Sequence, residues 1–175
     1  MVTIEKKFIS PVYNVYRISI DKICANDYNP NEVAPTELKL LEKSILADGY
    51  TMPIVCYYVE DADCYEIVDG YHRYLVMKNS KEIGEREKYH LPVVIIDKPI
   101  TERIASMIRH NRARGTHAVD YMVQIVQKLI GMGLSDSWIM MNLGMDKDEL
   151  LRLKQISGIA SLFAKEDFSE AWEEI

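Results

Sequence analysis

Apolar and polar positions alternate through Val15-Tyr16-Arg17-Ile18-Ser19-Ile20, the period of a half-buried strand. A turn-rich stretch punctuated by Asn29-Pro30 and Pro35 follows. Thr36 can cap a helix whose apolar face is Leu38, Leu41, Ile45 and Leu46, ending at Gly49. Pro53–Val59 predicts a second strand and Tyr65–Val68 a third, joined by the acidic turn Glu60-Asp61-Ala62-Asp63. That third strand stops at Asp69-Gly70, and Tyr71–Met77 reads as the start of a helix. A charge-rich connection, Lys81 to Tyr89, leads to a strand over Leu91–Asp97. Pro99 and Thr101 then open a helix with Ile104, Ala105 and Ile108 on one face.

Everything beyond is helical in period. Val119, Met122, Val123, Val126, Leu129 and Ile130 share a face, broken at Gly131 and Gly133. Ser135 caps a short helix reaching Asn142, Gly144 makes a turn, and a last helix runs from about Asp146 to Ile156. The predicted class is α+β, a small mixed β-sheet with helices over residues 1–100, then a helical extension over 101–175.

With 175 residues, 48% hydrophobic and 27% charged, the chain can bury one good core with a small satellite. No signal peptide is apparent and no apolar run is long enough for a membrane span, so a cytoplasmic protein is expected. Net charge is −6, which disfavours tight nonspecific binding to nucleic acid. The acidity is uneven: residues 1–132 carry 17 Lys+Arg against 18 Asp+Glu, residues 133–175 carry 4 against 9. The three cysteines, Cys24, Cys56 and Cys64, are odd in number and form no C-x-x-C pair. Idle thiols are expected rather than a disulfide framework or a zinc knuckle.

Chemistry concentrates at Asp69-Gly70. A strand that passes through Gly into a helix leaves backbone N–H groups at the helix start, with the positive end of the dipole behind them. His72 and Arg73 in that first turn suit a phosphate. The plainer alternative makes Asp69 an N-cap, leaves Gly70 to the turn and puts Arg73 on a solvated face. A second concentration is Arg109–His117, where Arg109, Arg112, Arg114, His110 and His117 fall within nine residues. A metal site from His72, His110 and His117 lacks supporting spacing, so no metal site is expected.

IVDGYHRY resembles the box that the ParB/sulfiredoxin-like superfamily carries at this junction, and further markers follow in the family's order. They are NPN, LEKSILADGY, MPIV, LPVVIID and RHNRARG, spanning Ile18 to Ile156. DGYHRY together with NRARG-H is most similar to the short IbrB-type proteins, described as co-activators of prophage gene expression. The resemblance implies a nucleoside di- or triphosphate with Mg²⁺, held by Gly70, His72 and Arg73 in the first box and by Asn111, Arg112 and Arg114 around the second. The departures are Tyr71, His72 and Leu75 in the first box and His110 in the second, which remove charges that a triphosphate clamp needs. Hydrolysis is therefore not assigned. Tyr71 stands at the reactive cysteine of sulfiredoxins, so that activity is not expected, and no carboxylate cluster suggests a nuclease. The free-serine kinases of the superfamily share Asp69, Gly70, His72 and Arg73 and use a Glu in the first loop. This resemblance implies Glu32, Asp69 and His72 as catalytic groups of a small-molecule kinase or nucleotide hydrolase, the rival to a nucleotide-binding regulator.

Residues 135–158 fit a helix-turn-helix, with Trp138, Ile139, Leu143, Leu150, Leu151 and Leu153 inward. The second helix opens Asp146-Lys147-Asp148-Glu149, and carboxylates there oppose DNA phosphates. If DNA is met, Arg109, Arg112 and Arg114 are the expected surface. The acidic end, with Phe163, Phe168 and Trp172, suits a protein partner or a homodimer contact.

Overall fold

The computed structural model describes residues 9–26, 35–112 and 119–163. The chain divides into two compact units, Met1–Met107 and Ile108–Ile175, and the division falls within one helix, α4.

The first unit is built on a five-stranded mixed sheet of order β1-β5-β3-β4-β2. Strand β1 is Tyr16–Ser19, β2 Ile23–Cys24, β3 Ile54–Val59, β4 Cys64–Asp69 and β5 His90–Ile95. β1 runs antiparallel to β5 and β4 antiparallel to β3, whereas β3–β5 and β2–β4 are parallel. β3 and β5 are the apolar strands of the sequence and occupy the middle, where both neighbours cover them. Ile54, Cys56, Ile67, Leu91 and Val93 are completely buried, together with Met77 and Ile83 from the helices. Each such side chain contributes about 1.5–3 kcal/mol by leaving water.

Helix α1 (Pro35–Asp48) turns Leu38, Leu41, Ile45 and Leu46 to this core and stops at Gly49, whose φ of +76° is the left-handed cap. Its last carbonyls are also held from outside: Arg86 Nη2 and Nη1 donate to Ile45 O (2.8 Å) and Leu46 O (3.0 Å). Helix α2 is Tyr71–Asn79. The predicted connection after it instead contains a second short helix, α3 (Lys81–Arg86). Ile83 and Gly84 are buried there, and Gly84 N–H, Ser80 O and Tyr89 N–H close its turns. β2 is likewise new, two residues drawn into the sheet by parallel pairing with Tyr65 and Glu66.

The cysteine expectation needs correction. Cys24 and Cys64 form a disulfide between β2 and β4, with Cα atoms 6.2 Å apart. Only Cys56 is an idle thiol, buried in β3, and burial followed by the Glu66 carboxylate pushes its pKa up to about 12.

Helix α4 (Ile100–Arg112) buries Ile104, Ala105, Met107 and Ile108. In the second unit α5 is Val119–Gly131, α6 Asp136–Leu143 and α7 Lys147–Phe163. α5 packs on α6 and α7, with Val126, Leu129, Ile139 and Leu143 buried to 1% or less and Leu150 and Leu153 nearly so. Ser135 caps α6 by accepting from Trp138 N–H at 3.2 Å, and Gly144, at φ +66°, ends it. The α+β reading holds. Among the described residues no helix is long and apolar enough to cross a membrane.

Candidate functional site: a strand–glycine–helix junction and a helix-turn-helix

β4 delivers Asp69, 6% exposed, to the edge of the core, and the chain then reverses hand at Gly70, φ +102°. Gly70, not Asp69, is the N-cap of α2, so no side-chain oxygen serves the first turn from that position. Two constraints make this residue glycine. The backbone is left-handed, and a Cβ here would stand 2.8 Å from Arg73 Nη2.

Arg73 explains the crowding. Its guanidinium does not extend into solvent; Nη1 donates to Met52 O at 2.8 Å and to Pro53 O at 2.9 Å, and Nη2 lies 3.7 Å from Asp69 Oδ2. The side chain is 13% exposed. The clasp is reciprocal: Tyr50 Oη donates to Arg73 O at 3.0 Å, so segment 50–53 and the first turn of α2 hold one another. Asp69 and Arg73 form a buried ion pair, and removing one side would weaken the compensation of the other buried charge. His72 is half-buried, with its ring 6.3 Å from that of Tyr71, and Tyr71 stacks on Tyr74 at 6.0 Å. A phosphate at this junction would meet the first-turn N–H groups and His72. Contact with Arg73 would require the guanidinium to leave two carbonyls.

The structure assigns the other predicted residues unequally. Arg109 is exposed in the second unit and donates to Asn142 O at 3.3 Å, while His110 is exposed beside it. Asn111 and Arg112 form the end of α4, but their side chains, like Glu32, Arg114 and His117, lie outside the described residues. Among the described residues no group of three His, Cys, Asp or Glu side chains is placed to hold a metal ion.

One cluster escaped sequence reasoning. Arg103 Nη1 donates to Glu66 Oε1 at 2.6 Å, and the guanidinium lies 3.9 Å from the Tyr57 ring centroid. Tyr57 and Glu66 are register partners on β3 and β4, so the pair sits where the sheet puts it, and no local pattern around Arg103 signals it.

In the helix-turn-helix, Ile139, Leu143, Leu150 and Leu153 point inward as predicted, and Trp138 is half-buried. Leu151 does not; it is 51% exposed, on the same side of α7 as Lys147, Asp148, Arg152 and Gln155. Asp146 is turned back to the helix, accepting from Glu149 N–H at 2.7 Å. Lys154 ties α7 to α6 through Asp136 at 2.6 Å.

The ParB N-terminal domain description matches residues 6–111. The chain belongs to that family. Residues 117–165 match the IbrB-like C-terminal HTH domain. A curated relative of this ParB-family chain, the uncharacterized protein YbdM of Escherichia coli (strain K12), is 48% identical over 162 residues, 93% of this chain and 77% of YbdM. An ATP-dependent L-serine kinase of Staphylothermus marinus is 33% identical over 92 residues, 52% of this chain and 31% of the kinase. Among solved structures, ParB of Caulobacter crescentus bound to the centromeric parS site aligns with a TM-score of 0.54 at 15% identity, covering 85% of this chain and 77% of that one. The same ParB with CTP-γ-S aligns at 0.50 and 17%, covering 86% and 84%. These structural likenesses establish the ParB-like fold.

Proposed function

We propose that this ParB-family protein is a DNA-associated regulator that binds a nucleotide at the α2 start and meets DNA through its helical unit. One observation carries the reading: a ParB-type unit and a helix-turn-helix occupy a single chain. The transcriptional co-activator setting follows the IbrB-like match, and a protein partner or a homodimer would fit it.

Gly70 makes the nucleotide end chemically reasonable, because it caps α2 without a side-chain hydrogen bond to the first-turn N–H groups that a phosphate would meet. His72 would hold the phosphate, with Asn111, Arg112 and Arg114 supplied by the second box, and Mg²⁺ would neutralise its charge. At the DNA end, Lys147 and Arg152 stand exposed on α7 together with Asp148, and the exposed Asp146 accepts from Glu149 N–H. Arg109, Arg112 and Arg114 offer further phosphate contacts.

Fluorescence anisotropy on labelled duplex, with CTP, ATP, ADP or GTP and Mg²⁺ or without, tests the reading. Salt-dependent binding weakened by Lys147→Ala and by Arg152→Ala is the expected result. Absence of duplex binding under every nucleotide condition would sink it. Calorimetric titration of nucleotides against His72→Ala tests the site itself, with the unfolding midpoint of the variant checked against wild type. The relation to the Staphylothermus serine kinase favours a second reading, phosphoryl transfer by Glu32, Asp69 and His72. Formation of phosphoserine from ATP or ADP and serine, lost in Glu32→Gln, would select it.

A further inference from the structure

The cross-link between β2 and β4 sits at the thinnest part of the sheet. β2 is an outer strand of two residues whose one neighbour is β4. A strand that short holds little by itself. Ile23, 6% exposed, anchors its start in the core. From Cys24 onward the chain is held differently. Cys24 is the register partner of Glu66, and Cys64 and Glu66 share a face of β4, so both cysteines point to the sheet face away from Ile23. Neither belongs to the core cluster. Both are half-buried, whereas the thiol of Cys56 is enclosed.

Noncovalent support for this end is slight. Lys22 and Asp63 pair at 3.0 Å, but both side chains are more than half exposed, where an ion pair contributes little. Asn26 Nδ2 donates to Ile67 O, and among the described residues Asn26 Oδ1 is buried without a partner. An acceptor left unpaired favours any arrangement that returns it to water. The covalent bond is therefore the main force closing Cys24–Asn26 onto β4. We propose that the Cys24–Cys64 pair is a thiol-responsive latch: as a disulfide it clamps Cys24–Asn26 against β4, and as a dithiol it frees them, with Ile23 as the pivot.

The opening reaction is thiol–disulfide exchange with a low-molecular-weight thiol of the glutathione class. Its thiolate attacks one sulfur to form a mixed disulfide, and the other protein sulfur leaves as a thiolate and takes up a proton. A second small thiol then displaces the remaining protein sulfur. The protein gains two electrons and two S–H groups, and the two small thiols become one disulfide. Disulfides that a small thiol can reach are the labile ones. The latch also lies beside the junction already described. β4 delivers Asp69 and Gly70, and Asn26 meets that strand at Ile67, two residues before Asp69.

The test uses the full chain equilibrated with reduced and oxidised glutathione in varied ratio. Maleimide labelling of the folded protein, read by mass spectrometry, should find Cys24 and Cys64 reactive at millimolar reduced glutathione and protected when the oxidised form is in excess. Cys56 should react only after unfolding. Hydrogen exchange over the first minutes should be about tenfold faster or more across Cys24–Asn26 in the dithiol, while β3 and β5 stay protected. Cys24→Ser and Cys64→Ser should each show the fast pattern at every ratio. A bond that survives millimolar reduced glutathione in the folded protein would overturn the proposal, as would free Cys24 and Cys64 under oxidised glutathione. So would exchange at Cys24–Asn26 that ignores reduction. Loss of protection in β3 and β5 over the same minutes would do so too, because the bond would then hold the whole sheet rather than one edge. Because no nucleotide or DNA enters the experiment, its failure leaves the regulatory reading untouched, and the reverse also holds.

Discussion

The two units treat their charged side chains in opposite ways. In the α/β unit the arginines are drawn in as struts: Arg73 to Met52 and Pro53, Arg86 to Ile45 and Leu46, Arg17 to Glu87, and Arg103 to Glu66. In the helical unit Lys147 and Arg152 stand exposed, while Asp146 and Ser135 are used to cap helix starts. The contrast has a geometrical origin. A mixed sheet with short helices ends many segments near the core, and each end presents carbonyls that a long guanidinium can reach. Three packed helices satisfy most of their backbone internally, so basic residues remain at the surface. An arginine in a motif is thus a different object in the two halves.

The contrast can be broken or sharpened by four measurements. The largest effect is expected at Cys56. Its folded pKa is raised from 9.0 to about 12, so the folded thiol keeps its proton where the unfolded one loses it. Its contribution is intact below pH 9.0 and falls as pH rises towards 12, by on the order of 4 kcal/mol in all. Urea unfolding of wild type and Cys56→Ala on either side of pH 9.0 measures this. The variant should show the flatter alkaline limb, although Tyr50 and Tyr121, also raised by burial, act in the same direction in both proteins. An identical alkaline slope would mean that the thiol is more accessible than the fold indicates.

Arg73→Ala comes next. Removing the cation beside buried Asp69 and the donors to two carbonyls should cost about 3 kcal/mol in unfolding free energy at neutral pH. An effect inside about 0.5 kcal/mol would place Arg73 with the solvated charges of the helical unit. Ser135→Ala should cost about 1 kcal/mol through the lost α6 cap. Smallest in stability, Lys147→Ala and Arg152→Ala should change unfolding by less than about 0.5 kcal/mol. Each should nevertheless lower the salt slope of duplex binding by about one. A stability loss comparable to that of Arg73→Ala would erase the distinction between the halves.

Much of the architecture was legible because it is local. Strands β3, β4 and β5, helices α1 and α5, and the Ser135 and Gly144 caps each announce themselves within a few residues. The strand–Gly–helix junction was equally plain. What escaped depends on distance along the chain. α3 is six residues with Ile83 as its main apolar anchor, too short for a period to show. β2 and the Cys24–Cys64 bond depend on parallel register with β4, which no window around Cys24 contains. The clasp of Arg73 was equally hidden, because its partners, Met52 and Pro53, lie about twenty positions upstream and contribute only backbone atoms. Leu151 was assigned inward from its type, whereas the helix angle carries it to the exposed side of α7.

The disulfide has a consequence for how the chain meets a protease. Cys24 and Cys64, 40 positions apart, close a covalent ring that takes in α1, β3 and the segment between β2 and α1. One peptide cut anywhere within that ring releases nothing: the fragments stay joined and migrate as one species. Adding a thiol separates them at the cut. To a protease acting on this stretch, the molecule is a closed loop with two tails, and it must be cut twice, or cut once and reduced, before any of it comes away.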